Sequence, residues 1–174
     1  MRDAILGAAA AVIGRRGLHA LKMAGVARKA GIGRATMYKY FADVEDLLHA
    51  WHERQLDIHL ANLAEIGNRG GSALRRLEAV LETFGTICLH HHGSELAALL
   101  HRAPHVSRAR QQLRDVVQRL LTEGARGGEV RADVSAVELS AYCLHAVTAA
   151  TGVKSAQAVK RLVAVTLAGV RSNE

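Results

Sequence analysis

The chain has 174 residues, of which 49% are apolar and 3% aromatic, and it carries a formal charge of +7. That apolar content excludes a disordered chain, and an apolar set dominated by Ala and Leu favours packed helices over sheets, which enrich aromatic and β-branched residues. A basic excess suits a nucleic-acid partner, because neutralising phosphates releases counterions, yet Arg102, Arg108, Arg110, Arg114 and Arg119 place part of it far from the N-terminus. Cys88 and Cys143, far apart and in apolar surroundings, read as buried free thiols. No apolar run reaches the roughly 18 residues of a membrane span, and nothing resembles a signal peptide. A soluble, cytoplasmic protein without membrane contact is the expectation.

Helical periodicity recurs along the chain. Ile5, Leu6, Ala9, Val12 and Ile13 share one face of a first helix, which Gly14 and Gly17 bracket and Arg15 and Arg16 suit at its negative end. A short helix follows over about Met23–Ala30, with Val26, Ala27 and Ala30 inward and Gly31 as its stop. A second short helix covers about Arg34–Tyr40. Asp43 then N-caps a long helix over about Val44–Ile66, with Asp46 completing a variant of the capping box. The Gly67–Gly71 stretch is the clearest breaker. Ser72 caps a helix to about His91, and a short helix near Glu95–His101 stops before Pro104. Further helices run over about Ser107–Arg126, Val137–Thr151 and Ala156–Val170. The fold expected is all-α with about nine helices.

Met23–Phe41 therefore predicts two short helices joined by a tight Gly-containing turn, the helix-turn-helix geometry. Arg34 and Lys39 can reach phosphates or base edges, Thr36 a base or thymine methyl, and Tyr38 a phosphate, while Ala35 allows close approach. Met37 and Phe41 anchor the helix from its other side. The same pattern, read blandly, is a helical hairpin with solvated charges.

The run from Val26 to Phe41, VARKAGIGRATMYKYF, resembles the signature of the tetracycline-repressor (TetR) family: an Ile/Val-Ala opening, an Ala-Gly-Ile turn, and a closing Thr-Met-Tyr-x-Tyr-Phe. Glu45-Asp46-Leu47-Leu48 and the upstream Ile5-Leu6, Ala8-Ala9 and Gly17 extend the likeness to about residues 5–48. The resemblance implies a head over 1–43 that binds DNA and a helical body over 44–174 for ligand binding and dimerisation. It implies that Arg34, Ala35 and Thr36 face bases, that Tyr38, Lys39 and Tyr40 contact bases or phosphates, and that Lys22 meets a phosphate. Lys22 and Met23 replace a usual Thr or Ser cap, Gly33 a usual Ser, and Val44 a usual Lys, so Val44 is expected to make no DNA contact. It further implies a homodimer through the helices near 137–151 and 156–170 on palindromic double-stranded operator DNA. A small hydrophobic effector would release the repressor by favouring a form with wrongly spaced heads.

Candidate lining for that effector is Trp51, Leu60, Leu63, Leu81, Phe84, Cys88, Leu99, Val116, Leu120, Tyr142 and His145, stripes that plain core explains equally well. The histidine-rich segment 90–105, with Cys88 and His92 four apart and His101 or His105 nearby, makes a metal-responsive regulator of the same fold one alternative. His49, His52 and His59 form a sparser group on the long helix. No metal site is assigned, and no cofactor is expected. No nucleophile triad, phosphate-binding glycine loop or metalloprotease motif is present, so no enzyme is expected. A helical interaction module without DNA binding is the other alternative.

Overall fold

A computed structural model describes residues 1–90 and 104–172 of the chain. Among these, eight α-helices are present: α1 (Arg2–Arg16), α2 (Met23–Lys29), α3 (Arg34–Tyr40), α4 (Val44–Gly67), α5 (Ala73–His90), α6 (Pro104–Arg126), α7 (Ala136–Thr148) and α8 (Ala156–Ala168), with 3₁₀ turns at Leu18–Ala20 and Ala149–Gly152. The expected helix near Glu95–His101 lies outside the described residues. Pro104 opens α6 rather than bounding it from before, since the first helical position needs no N–H donor. The expected helix Val137–Thr151 ends instead at Thr148 and passes into the second 3₁₀ turn.

The chain divides into two compact units, residues 1–57 and 58–174. The division falls within α4 rather than at its start, because Leu47, Ala50 and Trp51 pack into the first unit's core. That core gathers Ile5, Leu6, Val26, Met37 and Phe41, all nearly fully buried. α4 begins with a reciprocal cap. The Asp46 amide donates to Asp43 Oδ1 at 2.8 Å, and the Ala42 amide donates to Asp46 Oδ2 at 3.1 Å.

In the second unit α5 packs against α6, α7 and α8. Gly85 makes that possible. A Cβ there would stand 2.6 Å from Val159 Cγ1 and 3.1 Å from Val147 Cγ1, inside contact distance. Ser72 caps α5 and Ser155 caps α8, their hydroxyls accepting the amides of Arg75 and Ala158. Ser135 and Glu138 form a capping box at α7. Arg76 joins three elements: it donates to the Gly67 carbonyl at the end of α4 at 3.1 Å, and it pairs with Glu123 of α6. After α8, Val130 and Arg171 form an antiparallel bridge that returns the chain's end to the 127–135 connection. Burial pushes the Cys143 thiol up to about 12 and the half-buried Cys88 thiol to about 11, so both stay protonated at neutral pH.

Candidate nucleic-acid interface

The turn between α2 and α3 is built by backbone. The Ile32 amide donates to the Ala27 carbonyl at 3.0 Å and the Gly31 amide to the Arg28 carbonyl at 3.2 Å. Together with the positive φ of 70° at Gly31, this is a Schellman motif. Only glycine takes that φ at low cost. Ile32 then packs on the head core and fixes where α3 leaves the turn.

α3 is anchored on one side alone. Met37 is 0% and Phe41 2% exposed, and they lie four residues apart on one face. The helical period places Ala35 and Lys39 on the opposite face, with Thr36 and Tyr38 beside them. Arg34, Ala35, Lys39, Tyr38 and Tyr40 are exposed, the tyrosines by 55% and 42%, and Thr36 is half-buried. Exposed tyrosines on a helix held by two buried residues are costly decoration for a plain hairpin and suit a surface that meets a partner.

Lys22 is exposed and stands at the N-terminal boundary of α2, where no side chain caps the helix. A lysine has no acceptor to offer there. A depression of about 200 Å³ lies between α2 and α3, lined by Met23, Ala24, Arg34, Met37 and Tyr38. Ala24 was not singled out in the sequence; its signal was its place one residue into α2, exposed and small. From Ala4 to Ala42 the chain has no acidic residue, but it has Arg15, Arg16, Lys22, Arg28, Lys29, Arg34 and Lys39, all exposed. The head's field is therefore positive around the helix-turn-helix, whatever the body carries.

The candidate effector lining separates into four groups. Leu63, Leu81 and Leu120 are buried in the second unit's core, with Leu60, Phe84, Cys88 and Val116 half-buried against it. Trp51 belongs instead to the head core, and its buried Nε1 has no acceptor among the described residues. Tyr142 and His145 are exposed on α7, off the inward side that Leu139, Cys143 and Val147 occupy, and the Tyr142 ring lies against Gly169 at the end of α8. Leu99 lies outside the described residues, as do His91, His92 and His101. Among the described residues no three His, Cys, Asp or Glu side chains converge as metal ligands would. No described helix is long and apolar enough to cross a membrane.

These features define a helix-turn-helix regulator. Residues 5–51 match the model of bacterial regulatory proteins of the tetR family, and residues 78–172 match the C-terminal domain of SbtR-like transcriptional regulators. The chain belongs to the TetR family of DNA-binding transcription regulators, which are not enzymes. A TetR/AcrR-family regulator from Thermobifida fusca superposes with a TM-score of 0.80 at 25% identity, covering 97% of each chain. FadR from Bacillus subtilis, solved with stearoyl-CoA, shares the fold at a TM-score of 0.67 and 18% identity over 98% of this chain and all of its own. In sequence, the fatty acid metabolism regulator protein of Bacillus subtilis is 23% identical over 134 residues, 73% of this chain and 69% of the relative.

Proposed function

We propose that the protein is a ligand-released repressor that binds a palindromic operator as a homodimer. The observation that carries this is α3: its inner face is sealed by Met37 and Phe41, and its outer face presents Ala35, Tyr38 and Lys39 to solvent. Arg34, Ala35 and Thr36 read base edges at the start of the helix. Tyr38, Lys39 and Tyr40 contact bases or phosphates along it, and Lys22 holds a phosphate beside α2.

One short helix makes too few contacts for operator specificity, and a twofold pair reads half-sites about 34 Å apart. The dimer face is the outer side of α7 and α8. Val137, Tyr142 and Val165 are 55%, 44% and 69% exposed there, beside Ala164 and Ala168. Exposed apolar side chains next to small residues support close helix packing against a second copy.

Residues 1–43 thus serve DNA and residues 44–174 serve ligand and partner. A small apolar effector enters the body beside the half-buried Leu60, Phe84, Cys88 and Val116. It acts by favouring dimers whose heads are wrongly spaced, and α4, which contributes residues to both units, carries the change. Switching repression off strongly requires a preference of about 5 kcal/mol between the two forms.

The test is selection of duplexes from a random pool by the full-length protein. A palindromic consensus with half-site centres about one DNA turn apart is expected. No enrichment, or enrichment of a single unpaired site, refutes the reading.

A further inference from the structure

α3 has seven residues, about two turns, too few for a helix to persist in water on its own. Its geometry therefore depends on what grips it from outside. Met37 anchors its middle, and Phe41 closes its end, where the Phe41 amide donates to the Met37 carbonyl at 3.1 Å. Lys39 and Tyr40, two exposed residues of the operator face, sit on that last turn. Whatever fixes the Phe41 ring fixes their positions as well.

The Phe41 ring is held by more than the head core it is buried in. Over it stands the guanidinium of Arg2, whose central carbon lies 5.5 Å from the ring centroid. That is inside the reach of about 6 Å for a cation on an aromatic face. A guanidinium suits such a face because it is planar and more weakly hydrated than an ammonium. Arg2 is exposed, opens the first turn of α1 and makes no hydrogen bond or ion pair among the described residues. Its turn is itself tied down. Arg54 of α4 donates from Nη1 to the Asp3 carbonyl at 3.2 Å and stands 3.9 Å from Asp3 Oδ1. α3 and α4, already consecutive in the chain, are thus joined a second time through the start of α1.

We propose that Arg2 is a positioning residue for operator binding: stacked on Phe41, and kept there by the Arg54 contacts to Asp3, it fixes the last turn of α3 and with it Lys39 and Tyr40. This rests on the reading of α3 as the helix that meets DNA. Arg2 acts through the ring and not by contact with a phosphate.

The test uses the full-length chain, the duplex it selects, and amide exchange measured without DNA. In Arg2→Ala, exchange at the Tyr40 and Phe41 amides is expected to quicken and operator affinity to fall, each about two- to fivefold, the worth of an exposed stack of this kind. Arg2→Lys keeps a cation over the ring and is expected to retain most of the affinity, while Arg2→Met is expected to behave as Arg2→Ala. The salt slope is expected to stay that of wild type in all three, since a stacked guanidinium displaces no counterion from DNA. In a Phe41→Leu background, Arg2→Ala is expected to cost nothing further. Circular dichroism verifies folding, and if Phe41→Leu does not fold, the exchange rates and salt slopes of the Arg2 variants decide alone. Unchanged exchange at Tyr40 and Phe41 overturns the proposal. So does an equal loss of affinity with and without the Phe41 ring, or a salt slope reduced by about one, which would make Arg2 a phosphate ligand. Affinity lost in Arg34→Ala but kept in Arg2→Ala sinks this proposal alone. Affinity kept in both, with exchange quickened in Arg2→Ala, sinks the operator reading on which it rests.

Discussion

Nη1 of Arg131 donates to the main-chain carbonyl of Gly169 at 3.2 Å, across 38 positions of sequence. The same guanidinium grips Asp133, and the hydrogen bond from Arg131 holds the Asp133 carboxyl below its ordinary 3.8. One side chain thus ties the connection before α7 to the carbonyl end of α8, where it also meets a favourable helix terminus.

This tie has a pH signature. A carboxyl depressed on folding adds stability above its unfolded value, and that stability is lost as pH falls through the lowered folded value. Glu138, held below 4.5 by its hydrogen bonds from Ser135, follows the same sign. Melting temperatures of wild type are therefore expected to drop between pH 6 and pH 3 by more than those of Asp133→Asn or Glu138→Gln. Parallel pH profiles for all three proteins would show that neither carboxylate matters to acid stability.

Two glycines should answer the same substitution with opposite signs. Gly7 lies mid-helix in α1, with nothing within 4 Å of the place an alanine methyl would take, so Gly7→Ala is expected to stabilise by about 0.5–1 kcal/mol through helix propensity. Gly85→Ala puts a methyl 2.6 Å from Val159 Cγ1 and is expected to destabilise by about 1–3 kcal/mol. Urea titrations of both variants decide this, and a stabilised Gly85→Ala would mean that α5 and α8 are not so closely packed.

On the operator face, Arg34→Ala and Tyr38→Ala are each expected to weaken specific binding by about 1–3 kcal/mol without changing the melting temperature. Lys22→Ala is expected to weaken binding to all duplexes alike and to reduce the salt slope by about one. Fluorescence anisotropy over a range of salt concentrations separates these outcomes. Unchanged affinity in both Arg34→Ala and Tyr38→Ala would place the DNA surface elsewhere.

The outer face of α7 and α8 makes a separate prediction. Among the described residues Val165 is the most exposed large apolar residue of the body, so Val165→Glu costs little in an isolated subunit but buries a charge in a dimer. Sedimentation is expected to show a dimer for wild type and a monomer for Val165→Glu, with operator affinity falling in step. A variant that stays dimeric would move the interface off this face.

Much of this was legible along the chain because its causes are local. Asp43 and Asp46, Ser72, and the glycines at 31 and 67–71 act on neighbours within five residues, and the helix ends they predict are observed. The pairing of Met37 and Phe41 follows from a spacing of four. The effector lining was less legible. Tyr142 and Leu139 share one helix and similar apolarity, yet one is exposed and the other buried, and only the partners packed on α7 distinguish them. Trp51 went to the head core for the same reason: α4 has apolar residues on several sides, so its period alone does not say which cluster claims each.

By itself the amino-acid order determined the helices, their caps and the turn that presents α3, because hydrogen bonds between near neighbours and a 3.6-residue period depend on nothing distant. Only the tertiary structure decided which apolar faces are sealed, why Gly85 must lack a side chain, and that Arg131 is committed to Gly169. Those outcomes depend on contacts between residues far apart in sequence, and no local rule encodes which surfaces meet when the helices pack.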